Sequence, residues 1–137
     1  MNVYLDSSWL LRALLKQSTV KPLRAGTSVY SSVLLNIECR RTIDRHLKRR
    51  LLGETEFAQI SQQLGQYHEA INIIDLTPAI LSRAAGAFFL PLGSLDAMHL
   101  ATAMQLSESL KEPVCIATFD EELALAASAH GVEVLVQ

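Results

Sequence analysis

Asp6, Glu38, Asp96 and Asp120 each fall at or near the start of an expected helix, and all four are acids. Three or four carboxylates brought to one edge repel one another unless a cation neutralises them. Oxygen donors suit Mg2+ or Mn2+, ions that keep several waters and bridge to phosphate. Such a site activates water and offsets the charge that builds during phosphodiester hydrolysis. Rival chemistries lack their residues. Cys39 and Cys115 lie outside any zinc spacing, and no Gly-rich phosphate loop is present. Ser7 and Ser8 have no neighbouring His to activate a serine nucleophile.

Each acid also has an ordinary use. Asp6 can help cap a helix, and Glu38 can sit in solvent paired with Arg41. Asp96 in a first turn is favoured by the helix dipole, and Asp120 is a good N-cap ahead of Glu121 and Glu122. Asp96 is the hardest to dismiss, because the apolar stripe Ala97, Leu100, Ala101, Met104 begins beside it.

The elements that would position these acids alternate between strand and helix. Short strands are expected at Val3–Leu5, Thr27–Tyr30, Asn72–Leu76, Val114–Ala117 and Val132–Val136. Between them, Ser7 or Ser8 caps a first helix, and Ser31-Ser32 cap a second running to about Arg50. A third helix spans about 54–70, with Phe57, Ile60, Leu64, Tyr67 and Ile71 at helical spacing. Thr77-Pro78 opens a helix to about Phe88, Ser94 caps one to about Leu110, and one from Asp120 ends at Gly131. This order predicts a single α/β domain over residues 1–137, with a central, mostly parallel five-stranded sheet between helical layers. Ligands of such sheets gather beyond the carboxyl ends of the strands, where Asp6 and Thr118–Asp120 fall.

Composition allows this. Of 137 residues, 50% are apolar and 19% charged, enough for an ordinary core, which excludes disordered and coiled-coil classes. No run is long enough to span a membrane, and the first residues lack the pattern of a secretion signal. Two isolated cysteines suit a reducing compartment, so a soluble cytoplasmic protein with buried thiols is expected. The net charge of −2 hides an asymmetry. Residues 1–52 carry ten Lys/Arg against three acids, and 53–137 carry two against eleven. Six of the basic residues lie between Arg40 and Arg50, a local match for a polyanion.

Four stretches together carry a family resemblance: Val3-Tyr4-Leu5-Asp6-Ser7-Ser8, SSVLLNIECRR over 31–41, LGSLDAMHLAT over 92–102 and ATFDEEL over 117–123. In this order and spacing the sequence resembles the PIN-domain nucleases, among them the small VapC-type toxins of toxin–antitoxin pairs. The resemblance implies a PIN-like α/β/α sandwich and a Mg2+- or Mn2+-dependent endoribonuclease. It makes Asp6, Glu38 and Asp96 the core metal-binding acids and Asp120 a more variable fourth. Thr118 matches a hydroxyl residue that holds the site, and Ser8 a small polar residue near the first acid. It also implies RNA as substrate, a cognate antitoxin as partner, and a homodimer formed on the helices at about 31–70.

Other features are weighed beside that. Glu38, Arg41 and Arg45 share one helix face that Lys48 and Arg49 continue. The face is either a solvated one with a Glu38–Arg41 pair or a track for RNA backbone or an acidic antitoxin segment. His99, one turn after Asp96, could touch a substrate phosphate; a half-buried helix residue is the ordinary reading. His46 and His68 have no partner at ligand spacing, and His130 just before Gly131 reads as a helix C-terminal residue favoured by the dipole. A receiver-like phosphoacceptor would want a second acid beside Asp6, and a haloacid-dehalogenase-like phosphatase would want Asp-x-Asp; the chain reads Asp6-Ser7-Ser8. A catalytically silent PIN-fold module that binds RNA or protein is the non-enzymatic alternative.

Overall fold

The strand Asn2–Leu5 (β1) is buried on both sides, and its alternation separates two cores. Val3 and Leu5 join one apolar cluster, whereas Tyr4 between them joins the other. The computed structural model describes residues 1–16 and 20–135. After β1 come the helix Ser7–Leu14 (α1), strand Ser28–Ser32 (β2), helices Leu34–Lys48 (α2) and Glu54–Ala70 (α3), and strand Asn72–Ile74 (β3). Helices Pro78–Ala84 (α4) and Ser94–Leu110 (α5), strand Val114–Ala117 (β4) and helix Glu121–Ala129 (α6) complete the order.

The sheet order is β3-β2-β1-β4, and every pairing is parallel. β1 is central, with Val3 opposite Val29 on one side and Cys115 on the other. The first cluster joins Leu10 and Leu14 of α1 to Leu35, Cys39 and Ile43 of α2 and Ile60 and Leu64 of α3. The second joins Leu100 and Ala103 of α5 to Leu123, Ala126 and Ala127 of α6 through Tyr4, Val114 and Ile116. Truncating a fully buried residue such as Leu100 to Ala would cost about 2–5 kcal/mol. Among the described residues, no helix is long and apolar enough to cross a membrane. Cys39 and Cys115 are both free and buried.

Several local expectations are corrected. The described sheet has four strands, not five. Where the fifth was expected, Val134 makes one parallel bridge to Ile116, closed by Ile116 N to Glu133 O and Leu135 N to Ile116 O, both 2.8 Å. The late start of this pairing has its cause at the end of α6. Gly131, at φ 72°, lets Val132 N bond back to Ala127 O at 2.9 Å, so the chain reaches β4 only from Glu133 onward. Val136, the last residue of that expected strand, lies outside the described residues.

Ser31 and Ser32 finish β2 instead of both capping α2: Ser31 Oγ donates to Leu5 O at 2.7 Å, and Ser32 Oγ accepts from Leu34 N at 3.2 Å. The N-cap residue of α5 is Gly93, with Ser94 the first helical residue. α4 stops at Ala84, short of Phe88, where Gly86 N bonds to Arg83 O at 3.1 Å. Thr77 does cap α4, its Oγ1 accepting from Ile80 N at 3.3 Å. The α3 stripe is mostly internal core: Ile60 and Leu64 are buried, Phe57 is partly covered, and Tyr67 is 41% exposed.

Candidate metal centre

Asp6 follows directly on β1, and its amide bonds to Ala117 O at the end of β4 at 3.1 Å. It is the N-cap residue of α1 by position, yet its side chain makes no capping bond. The carboxylate turns to other donors. Oδ2 accepts from Ser8 Oγ at 2.6 Å and Thr118 Oγ1 at 2.8 Å. Those hydroxyls, 3.2 Å apart, accept in turn from Phe119 N at 2.9 Å and Asp120 N at 3.0 Å. Asp6 is thereby buried and held in one orientation, with only 4% of the residue exposed.

Glu38 comes from the second turn of α2 and points inward to the same place. Its Oε2 accepts from Ser7 Oγ at 3.1 Å, and that hydroxyl also lies 3.4 Å from Asp6 Oδ1. Its Oε1 lies 2.5 Å from Nε2 of His99, which is 3.5 Å from Asp6 Oδ1. The Glu38–Arg41 pair does not form. Arg41 reaches forward to Asp44 at 3.4 Å, which also takes Lys48 at 2.9 Å, and Arg45 donates to Thr42 Oγ1 at 3.0 Å. Lys48 above all holds the Asp44 carboxyl below its usual range. Arg41, Arg45, Lys48 and Arg49 are all exposed.

His99 is fully buried, so it does not reach out to a substrate phosphate. Its Nδ1 lies 2.8 Å from the Tyr4 hydroxyl, while Nε2 faces Glu38. Burial pushes the imidazole pKa down. The Glu38 hydrogen bond and the charges of Asp6, Glu38 and Asp96 outweigh that and leave it raised. Ligand atoms of Asp6, Glu38 and His99 all lie within 4.8 Å of one another. With Nε2 engaged by Glu38 Oε1 and Nδ1 by the Tyr4 hydroxyl, both ring nitrogens already have partners, so the free donor atoms that face the cluster are oxygens.

Asp96, in the first turn of α5, is half-buried and stands outside that tight group. Its carboxyl is nonetheless pushed up to about 6, first by burial, then by the charge of Asp120, then by Asp6 and Glu38 against the opposing pull of His99. Asp120 uses Oδ1 to cap α6, accepting from Leu123 N at 3.0 Å. The same negative field, after burial, drives the Cys39 thiol up to about 12, which makes it inert. All four acids therefore act on one region, two as a tight pair and two as its rim. A hard divalent cation fits this set, because the donors are oxygens and the surplus is negative charge.

Three contributors escaped the sequence reading: Ser7 between the two carboxylates, His99 as a buried partner, and Arg12. The Arg12 guanidinium lies 4.1 Å from the centre of the Phe119 ring, beside the Thr118–Asp120 segment. The signal for His99 was its place three residues after Asp96 with Leu100 next to it. That put it at the start of the buried stripe, not on a polar face.

Comparison with known proteins now bears on this edge. The PIN domain model matches residues 3–129. The chain belongs to the PIN domain family. PIN domains are in general nucleases, and the match takes in all four acids. Among solved structures, this PIN fold is similar to a chain of VapBC-1 from nontypeable Haemophilus influenzae, with a TM-score of 0.59 and 12% identity. The superposition covers 98% of this chain and 97% of that one. No curated protein matches the sequence.

Proposed function

We propose that this PIN domain is a metal-dependent endoribonuclease of the VapC toxin type, acting in the cytoplasm on RNA phosphodiester bonds. The observation that carries the proposal is the meeting of Asp6 and Glu38, within ligand distance of each other, under the charges of Asp96 and Asp120. Asp6, Glu38, Asp96 and Asp120 would hold Mg2+ or Mn2+. A bound ion of this kind supplies an acidified water and offsets charge on the phosphate. Ser8 and Thr118 keep Asp6 Oδ2 engaged, which turns Oδ1 toward Glu38. Asp96, its carboxyl pushed up to about 6 by burial and by Asp120, Asp6 and Glu38, would be relieved of that repulsion by the ion it helps to hold.

The partners follow from the same reading. A cognate antitoxin would restrain the enzyme, as the name VapBC-1 of the structural neighbour suggests. A homodimer would use α2, α3 and the turn between them, where Ile37, Tyr67 and Leu51 respectively leave apolar surface exposed. The basic end of α2 would hold the RNA backbone, or an acidic antitoxin segment in the restrained complex.

The deciding experiment is cleavage of RNA by purified protein in EDTA, Mg2+ and Mn2+, alongside Asp96→Asn. Cleavage in either metal, absent in EDTA and reduced roughly 10²-fold or more by the variant, is the expected result. A folded Asp96→Asn protein that cuts as fast as wild type refutes the assignment. Binding without cleavage in any metal would leave the silent binding module. For the basic track, Arg45→Ala with Arg49→Ala should flatten the salt dependence of RNA affinity by about 1.4, at about 0.7 per lost phosphate contact. An unchanged slope and unchanged antitoxin affinity would reduce the track to a solvated face.

A further inference from the structure

Two carboxylates bind one ion well only if both are aimed at it, and glutamate has three rotatable bonds to restrain. Glu38 comes from α2 in one core, whereas Asp6 hangs from the central strand. What relates them is a buried chain of polar contacts. Tyr4 Oη meets His99 Nδ1 at 2.8 Å, and His99 Nε2 meets Glu38 Oε1 at 2.5 Å. Tyr4 and His99 are both fully buried, and their rings meet edge to face at 5.8 Å. Tyr4 precedes Asp6 by two residues, and Asp6 keeps extended backbone at φ −82°, ψ 155°. Strand periodicity therefore puts both side chains on one side of the sheet.

We propose that His99, clamped by Tyr4, is a positioning residue that sets the direction of the Glu38 carboxylate relative to Asp6. β1 is then the common reference for both acids: it carries Asp6 directly and Glu38 through two buried rings. This rests on the reading above that Asp6 and Glu38 bind a divalent ion. Carboxylate ligands are routinely oriented by outer hydrogen bonds, and losing one costs about 10–100-fold in metal affinity. Because both ring nitrogens are occupied, His99 acts by orienting an oxygen ligand and not by supplying a nitrogen one.

Calorimetric titration of the purified full chain with MnCl2, with thermal melts in EDTA as a check on folding, tests this. Tyr4→Phe removes one hydroxyl and keeps the ring; it should weaken Mn2+ binding about 10-fold. His99→Ala should weaken it by up to about 100-fold, and His99→Gln, whose amide N–H can reach Glu38, should recover part of the loss. Should His99→Ala fail to fold, Tyr4→Phe and His99→Gln still decide. Folded Tyr4→Phe and His99→Gln proteins that bind Mn2+ as wild type does would overturn the positioning role alone. Wild-type protein that binds no Mn2+ would overturn both this role and the metal reading beneath it. Nitrogen coupling from a directly bound imidazole in the Mn2+ EPR spectrum of wild type would make His99 a ligand and would also overturn the proposal.

Discussion

The inner and outer halves of the acidic edge solve the same electrostatic problem differently. Asp6 and Glu38 are compensated by the protein itself, through the hydroxyls of Ser7, Ser8 and Thr118 and the ring of His99. Asp96 has no such bond among the described residues, and the charges of Asp120, Asp6 and Glu38 join burial in holding its carboxyl up near 6. A carboxylate that is hydrogen-bonded in place is an anchor for an ion. A half-buried one facing like charges would, on the proposed reading, gain most from a bound cation. Strain of this kind collects where function needs it.

That contrast predicts opposite signs. Asp6→Asn and Asp96→Asn should each lower RNA cleavage by roughly 10²-fold or more, the largest effects expected. Their metal-free stabilities should diverge. Asn at position 6 turns an N–H2 toward hydroxyls that now donate, and should cost about 1–3 kcal/mol in urea melts. Asn at position 96 removes repulsion. It should stabilise the metal-free protein at pH 7 by about 1 kcal/mol, solvent screening of the half-exposed carboxyl having cut the fuller linkage value. Destabilisation by both variants would erase the distinction between the halves.

A smaller effect follows from pH. Asp96 titrates near 6 when folded and near 4 when unfolded, so the folded chain holds the proton more tightly between those values. Its contribution to stability is therefore fully present below about 4, and falls as pH rises to about 6. Melts in EDTA should show this decline in wild type relative to Asp96→Asn, and saturating Mn2+ should offset it at pH 7. Smallest of all, Asp120→Asn should keep the α6 cap within a few tenths of a kcal/mol, whereas Asp120→Ala should lose about 1 kcal/mol. Both should lower the Asp96 pKa in an NMR titration, because Asp120 is its leading charged neighbour.

Much of this edge could be read before the fold was known, since Asp6, Asp96 and Asp120 announce themselves by following strands or opening helices. Tertiary context was invisible. Glu38 has Arg41 one turn away, and a helix surface rule favours that pair. A buried imidazole from α5, sixty-one residues on, takes the carboxylate instead. Among the described residues the expected fifth strand is reduced to the bridge at Val134, and it begins late for a local reason: the turn at Gly131 holds Val132 against α6, although the segment has strong strand character. The α3 stripe shows the same limit, because apolar spacing marks burial without saying against what. Ile60 and Leu64 are spent inside.

The hydrogen-bonded pair has a consequence in time as well as space. The pair and two of its partners stand at positions 6, 38, 99 and 118, and the contacts among them span up to 112 residues of sequence. Contacts of such separation close late, after the intervening loops have lost their freedom. A chain still emerging from the ribosome holds Asp6 and Glu38 but not yet His99 or Thr118, so their carboxylates lack the partners that aim them. For the nuclease proposed here, cutting ability would arrive only with the last βα unit. A half-made molecule would be harmless to the RNA around it.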